Sequence, residues 1–139
     1  MNYHDGYEWY SAYCRSKVAN ILFTRALQAK MDVKGIAGKT FSLHPGVIPT
    51  EIMRDTIANK MSFLTKAALT PVALICLKTA WEGAQTTLYL TLESEEKLKG
   101  GEYYKDCKVK ESTQYSSNKE NAETFWEVSE EMLGIKFDL

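Results

Sequence analysis

From Ser11 to about Asp32 the chain alternates apolar and polar positions with helical spacing. Val18, Ile21, Leu22, Arg25 and Ala29 recur at three- and four-residue steps, while Tyr13, Lys17, Asn20 and Thr24 mark another face. Gly35 supplies the stop that such a helix needs. Residues 1–10 have no period and read as an irregular lead-in. Lys39 to His44 alternates with a period of two and ends at Pro45-Gly46, the pattern of a strand running into a sharp loop. The Met-rich stretch from Ile48 to Leu69 suits one or two short helices. Thr70-Pro71 then opens a helix with a cap followed by a proline. Thr79-Ala80-Trp81-Glu82 fits the reciprocal capping pattern, predicting a second helix to about Leu92. Gly100-Gly101 precedes an aromatic strand over Glu102–Cys107, and Asn121 to Leu133 forms a last helix stopped by Gly134.

Strands separated by helices predict an α/β layer with a parallel sheet. Two strands are too few for a sheet buried on both faces, so the pattern reads as part of a fold. Composition narrows the function classes. The 139 residues are 45% hydrophobic and 25% charged, as in a globular domain. Seventeen Lys+Arg against eighteen Asp+Glu leave a net charge of -1, so no nucleic-acid partner is expected. Cys14, Cys76 and Cys107 have neither a metal-ligand spacing nor an even count. No metal site or disulfide framework is expected, and an intracellular, reducing compartment fits best. The first residues lack a signal-peptide pattern, and the longest apolar run, Val72–Leu77, is too short to span a membrane. The acidic group Glu93, Glu95 and Glu96 reads as a solvated face.

The first candidate for chemistry is Tyr13 with Lys17. At i, i+4 on a helix, both side chains lie on one face within reach of each other. An ammonium beside a phenol favours the phenolate, which suits the pair to pass a proton to or from a substrate oxygen. By itself the spacing is common and also occurs as plain surface decoration. His44 reads as a polar strand-end residue and His4 as solvated. Cys14 reads as an unactivated thiol, Cys107 as packing at the edge of the last strand, and Phe125 and Trp126 as core or interface anchors.

The segment Ala12-Tyr13-Cys14-Arg15-Ser16-Lys17-Val18-Ala19-Asn20-Ile21-Leu22-Phe23 resembles the catalytic helix of the short-chain dehydrogenase/reductase family, in its retinol-dehydrogenase-like branch. Three further segments resemble that branch in order. They are the Leu43-His44-Pro45-Gly46-Val47-Ile48-Pro49-Thr50-Glu51 loop, the Glu82-Gly83-Ala84-Gln85-Thr86-Thr87 helix start, and Gly101-Glu102-Tyr103-Tyr104-Lys105-Asp106-Cys107. The resemblance implies the C-terminal half of a Rossmann-type doubly wound parallel sheet with flanking helices, over residues 1–139. It implies NAD or NADP as cofactor, with Tyr13 and Lys17 catalytic and also touching that cofactor. Pro45, Gly46, Val47, Ile48 and Thr50 would hold the nicotinamide, and residues 51–69 would form an apolar substrate loop, an equally plain reading being that their apolar residues cover the core. The implied reaction interconverts an alcohol and a carbonyl, possible substrates being a retinoid, a steroid or a lipid aldehyde.

The eight glycines never form the family's glycine-rich phosphate turn, which the resemblance places upstream of the tyrosine. The dinucleotide-binding half is therefore expected outside this chain, supplied or replaced by a protein partner or a longer precursor. Self-association through the helices is a further expectation. The alternative is a non-catalytic structural or interaction subunit derived from such an enzyme.

Overall fold

The computed structural model describes residues 8–49, 62, 65 and 77–137. They fall into two compact units. A helical unit takes in Met1–Ser42, Ser94–Tyr104 and Val109–Leu139, and a loop unit takes in Leu43–Glu93 and Lys105–Lys108.

In the helical unit, α1 runs over Trp9–Lys34 and ends at Gly35, whose φ of 65° lets its N–H reach the Asp32 carbonyl. The helix is about 39 Å long at 1.5 Å per residue. The last helix, α4 (Lys119–Leu133), starts at Asn118, whose side chain accepts from the Glu120 and Asn121 amides, and stops at Gly134 in the same left-handed conformation. The core between them is Leu22 and Ala26 of α1 with Ala122 and Trp126 of α4, and Val18, Leu27 and Phe125 pack against it. Trp126 stacks on Phe23 at 5.6 Å, meets Phe137 edge-on at 5.7 Å and lies under the Lys30 ammonium. Its indole N–H donates to Glu130 at 2.8 Å. Trp126 is thus the core anchor its position predicted.

The short helix α3 (Gln114–Ser117) leads into α4 and was not legible in the sequence pattern. Strand β1 is limited to Ser42–His44, shorter than the predicted Lys39–His44. The reason lies in Gln28, buried on α1. Its side-chain oxygen accepts from the Thr40 amide at 2.7 Å, and the Thr40 hydroxyl donates to the Thr24 carbonyl. These bonds turn the Thr40 amide and hydroxyl towards α1, so of its backbone groups only the carbonyl meets the neighbouring segment, accepting from the Gly101 amide at 2.8 Å. Strand β2 spans Tyr103–Lys105 and is followed by β3 at Lys108–Val109. The sheet is mixed, in the order β1-β2-β3. A two-residue reversal at Asp106-Cys107 makes β2 and β3 a hairpin, so Cys107 belongs to a turn rather than to the edge of the last strand. Tyr104, 2% exposed, packs edge-on against Phe41 and accepts from the Lys99 amide.

In the loop unit, helix α2 covers Ala80–Leu92 and begins with the predicted capping box at Thr79 and Glu82. No helix among the described residues is long and apolar enough to cross a membrane. The helix predicted from Thr70-Pro71 and the segment 51–69, apart from Ser62 and Thr65, lie outside the described residues, as do His4 and Cys76.

Candidate active site

The candidate residues divide between the two units, and each group has its own local cause. In the helical unit Tyr13 and Lys17 stand one turn apart on α1, with the Lys17 ammonium 5.1 Å from the centre of the Tyr13 ring. That contact follows from the i, i+4 spacing and from the long lysine side chain folding along the helix. Tyr13 is 55% exposed. Ser16, between them in sequence, donates to the Tyr13 carbonyl at 2.7 Å and does not point at the phenol oxygen. Cys14 is a free thiol and exposed.

In the loop unit the segment after β1 is shaped by short hydrogen bonds. The Gly46 N–H donates to His44 Nδ1 at 2.8 Å, turning the chain at a φ of +96° that favours glycine. The strand-end histidine therefore acts as a staple for the loop. The Lys78 N–H donates to the Val47 carbonyl at 2.8 Å. Gly83 of α2 lies directly against the Ile48 side chain, where a Cβ would overlap it. Pro45, Gly46, Val47 and Ile48 are thus fixed locally, while Thr50 lies outside the described residues.

Two further elements belong to the same unit. The Thr79 hydroxyl accepts from the Glu82 amide, and the Glu82 carboxylate accepts from the Thr79 amide at 2.8 Å and its hydroxyl at 2.9 Å. The backbone bond from Thr79 foremost, then its hydroxyl, holds the Glu82 carboxyl below its usual range, assisted by nearby Lys78. Thr86, 2% exposed, accepts from the Cys107 amide at 3.3 Å. Asp106 forms an ion pair with Lys78. Three sequence segments that were read separately, Pro45–Ile48, Glu82–Thr86 and Asp106–Cys107, therefore converge within one unit. Lys78 has no place in the sequence pattern, and Thr86 enters it only as one residue of a helix-start segment. Their signal is tertiary, apart from the position of Lys78 next to a capping box.

Among the described residues no group of His, Cys, Asp or Glu is arranged to hold a metal ion. The arrangement offers an exposed phenol with an ammonium beside it, and a separately braced backbone loop.

No family model matches the chain, and no solved structure matches it. Curated proteins do. Retinol dehydrogenase 12 of Bos taurus is 36% identical over 143 residues, which cover 99% of this chain and 42% of that protein. Retinol dehydrogenase 14 of Homo sapiens is 33% identical, covering 97% of the chain and 39% of its own length. The chloroplastic short-chain dehydrogenase TIC 32 A of Brassica napus is 32% identical, with 93% and 38% covered. The chain spans about two fifths of the length of the relatives it matches. Similarity that runs nearly the whole length of this chain makes these retinol dehydrogenases and this short-chain dehydrogenase its homologues, each matched over only a part of its own length.

Proposed function

We propose that this chain is the C-terminal catalytic part of an NAD(P)-dependent oxidoreductase that interconverts an alcohol and a carbonyl. The observation that carries the reading is the Lys17 ammonium set 5.1 Å from the ring centre of the exposed Tyr13. Both side chains occupy the positions that the resemblance assigns to catalysis.

When bound, the nicotinamide supplies or takes the hydride at the substrate carbon. In the reductive direction the Tyr13 hydroxyl gives its proton to the carbonyl oxygen, completing the alcohol; oxidation runs the same transfer backwards. Negative charge that develops on the Tyr13 oxygen is stabilised by the Lys17 ammonium one turn away. The donor set suits a nicotinamide nucleoside. Lys17 offers N–H donors for ribose hydroxyls, and the loop at Pro45–Ile48 offers backbone groups for the nicotinamide, Val47 being half exposed. Thr50 adds a hydroxyl to this set on the resemblance alone. The substrate is an apolar alcohol or aldehyde, of retinoid, steroid or lipid type, matching the apolar residues between Glu51 and Leu69.

The small mixed sheet would be one edge of a doubly wound sheet, its other strands and the phosphate-binding turn lying in a dinucleotide-binding half. That half is a covalent continuation or a partner chain, and self-association of the complete fold is part of the same reading. The test is aldehyde reduction with NADPH and with NADH by the native protein and by its Tyr13→Phe and Lys17→Met variants. Tyr13→Phe is expected to lower kcat/KM by about 10²–10⁴-fold. Turnover retained in Tyr13→Phe overturns the reading and favours the non-catalytic subunit.

A further inference from the structure

We infer that Lys78 is a positioning residue for the cofactor loop, acting with Asp106 as a brace between that loop and the hairpin turn. The inference rests on the reading of Pro45–Ile48 as the nicotinamide loop. Three observations within the loop unit meet at this one residue. Its backbone N–H donates to the Val47 carbonyl at 2.8 Å, holding the middle of the loop. Its methylenes run beside Gly46, where a Cβ would come within 2.5 Å of Lys78 Cδ. Its ammonium pairs with the Asp106 carboxylate.

The far end of the brace is a strained turn. Asp106 and Cys107 both have positive φ, 54° and 57°, with no glycine at either position. Such a conformation persists where the surroundings over-determine it. Here Thr86 accepts from the Cys107 amide and Lys78 holds Asp106. An exposed ion pair ordinarily contributes little to stability, and the Lys78 and Asp106 side chains are 31% and 48% exposed. Its value is geometric. The residue that bonds Val47 and fills the space over Gly46 has its side chain kept in one direction by Asp106. Without that anchor the lysine stem is free to leave Gly46, and the loop backbone loses its neighbour.

Lys78→Met keeps the amide and most of the stem but removes the charge, Asp106→Asn removes the partner, and the double variant Lys78→Asp with Asp106→Lys exchanges the charges. Nucleotide affinity is measured by the fluorescence of bound NADPH or NADH in the native protein, alongside kcat, KM and Tm. Lys78→Met and Asp106→Asn are expected to weaken nucleotide binding by on the order of tenfold, below the hundredfold that an ångström of misplacement can cost. KM for the nucleotide should rise by more than kcat falls, with Tm little changed, and the charge exchange should recover affinity relative to Lys78→Asp alone. A lowered Tm with unchanged nucleotide affinity would mean a merely structural pair and overturn the inference. Wild-type protein that binds nucleotide while Lys78→Met binds it equally well overturns the inference alone. Wild-type protein that binds neither nucleotide overturns the underlying reading of the loop as well.

Discussion

Tyr13 and Lys17 owe their relation to nothing beyond helix geometry, whereas Pro45–Ile48 is shaped by contacts from residues distant in sequence. On α1 the i, i+4 spacing alone brings the ammonium 5.1 Å from the ring centre. In the loop unit, His44 staples Gly46, Lys78 holds Val47, and Gly83 receives Ile48. A side-chain pair on a regular helix needs only that the helix be anchored elsewhere, which Leu22, Ala26, Ala122 and Trp126 accomplish. A backbone loop has no ladder of its own, so neighbouring elements must supply its bonds. The two regions should therefore fail in different ways.

The largest effect is expected from Trp126→Ala. Removing the side chain that fills the α1–α4 core should cost about 3–5 kcal/mol, read by denaturant unfolding. Amide exchange along α1 should rise while the Lys78 and Cys107 amides stay protected; equal loss in both would erase the contrast. Next come two glycines of positive φ. Gly46→Ala combines φ +96° with a collision against Lys78 and is expected to cost about 3 kcal/mol. Gly35→Ala, at φ +65° with open space around it, should cost about 1 kcal/mol. Equal costs would show that Lys78 does not crowd the loop.

The smallest effect is at the entry to α2. Thr79→Ala removes the cap and is expected to cost about 1 kcal/mol. The box is also pH-dependent. The Glu82 carboxyl is depressed in the folded protein, so its contribution is present above the ordinary glutamate value and lost as pH falls through the depressed one. Thermal melts from neutral to acid pH should show a smaller acid loss in Thr79→Ala than in the wild type. An unchanged acid loss would place its origin elsewhere.

The same contrast separates what was legible in the sequence from what was not. Helix ends follow local chemistry, and the stops at Gly35 and Gly134 and the Thr79–Glu82 box stand where the residue pattern puts them. The Tyr13–Lys17 pair was readable for the same reason. Strand limits were not. The bonds from Thr40 to Gln28 and Thr24, which shorten β1, depend on α1 lying beside that segment. The β2–β3 hairpin was missed because Asp106-Cys107 lacks the glycine that usually marks such a turn, its positive φ values being held by Thr86 and Lys78. Gln28, Lys78 and Thr86 look like ordinary polar helix and loop residues until their partners are in place.

The central claim is that this chain works as the catalytic part of a nicotinamide-dependent dehydrogenase. Native mass spectrometry of the protein purified from its own source tests it most directly. The account predicts the 139 residues joined to further polypeptide, covalently or as a second chain, with one nicotinamide dinucleotide bound. The 15.8 kDa chain found without nucleotide, alone or fixed in a larger assembly, would contradict it.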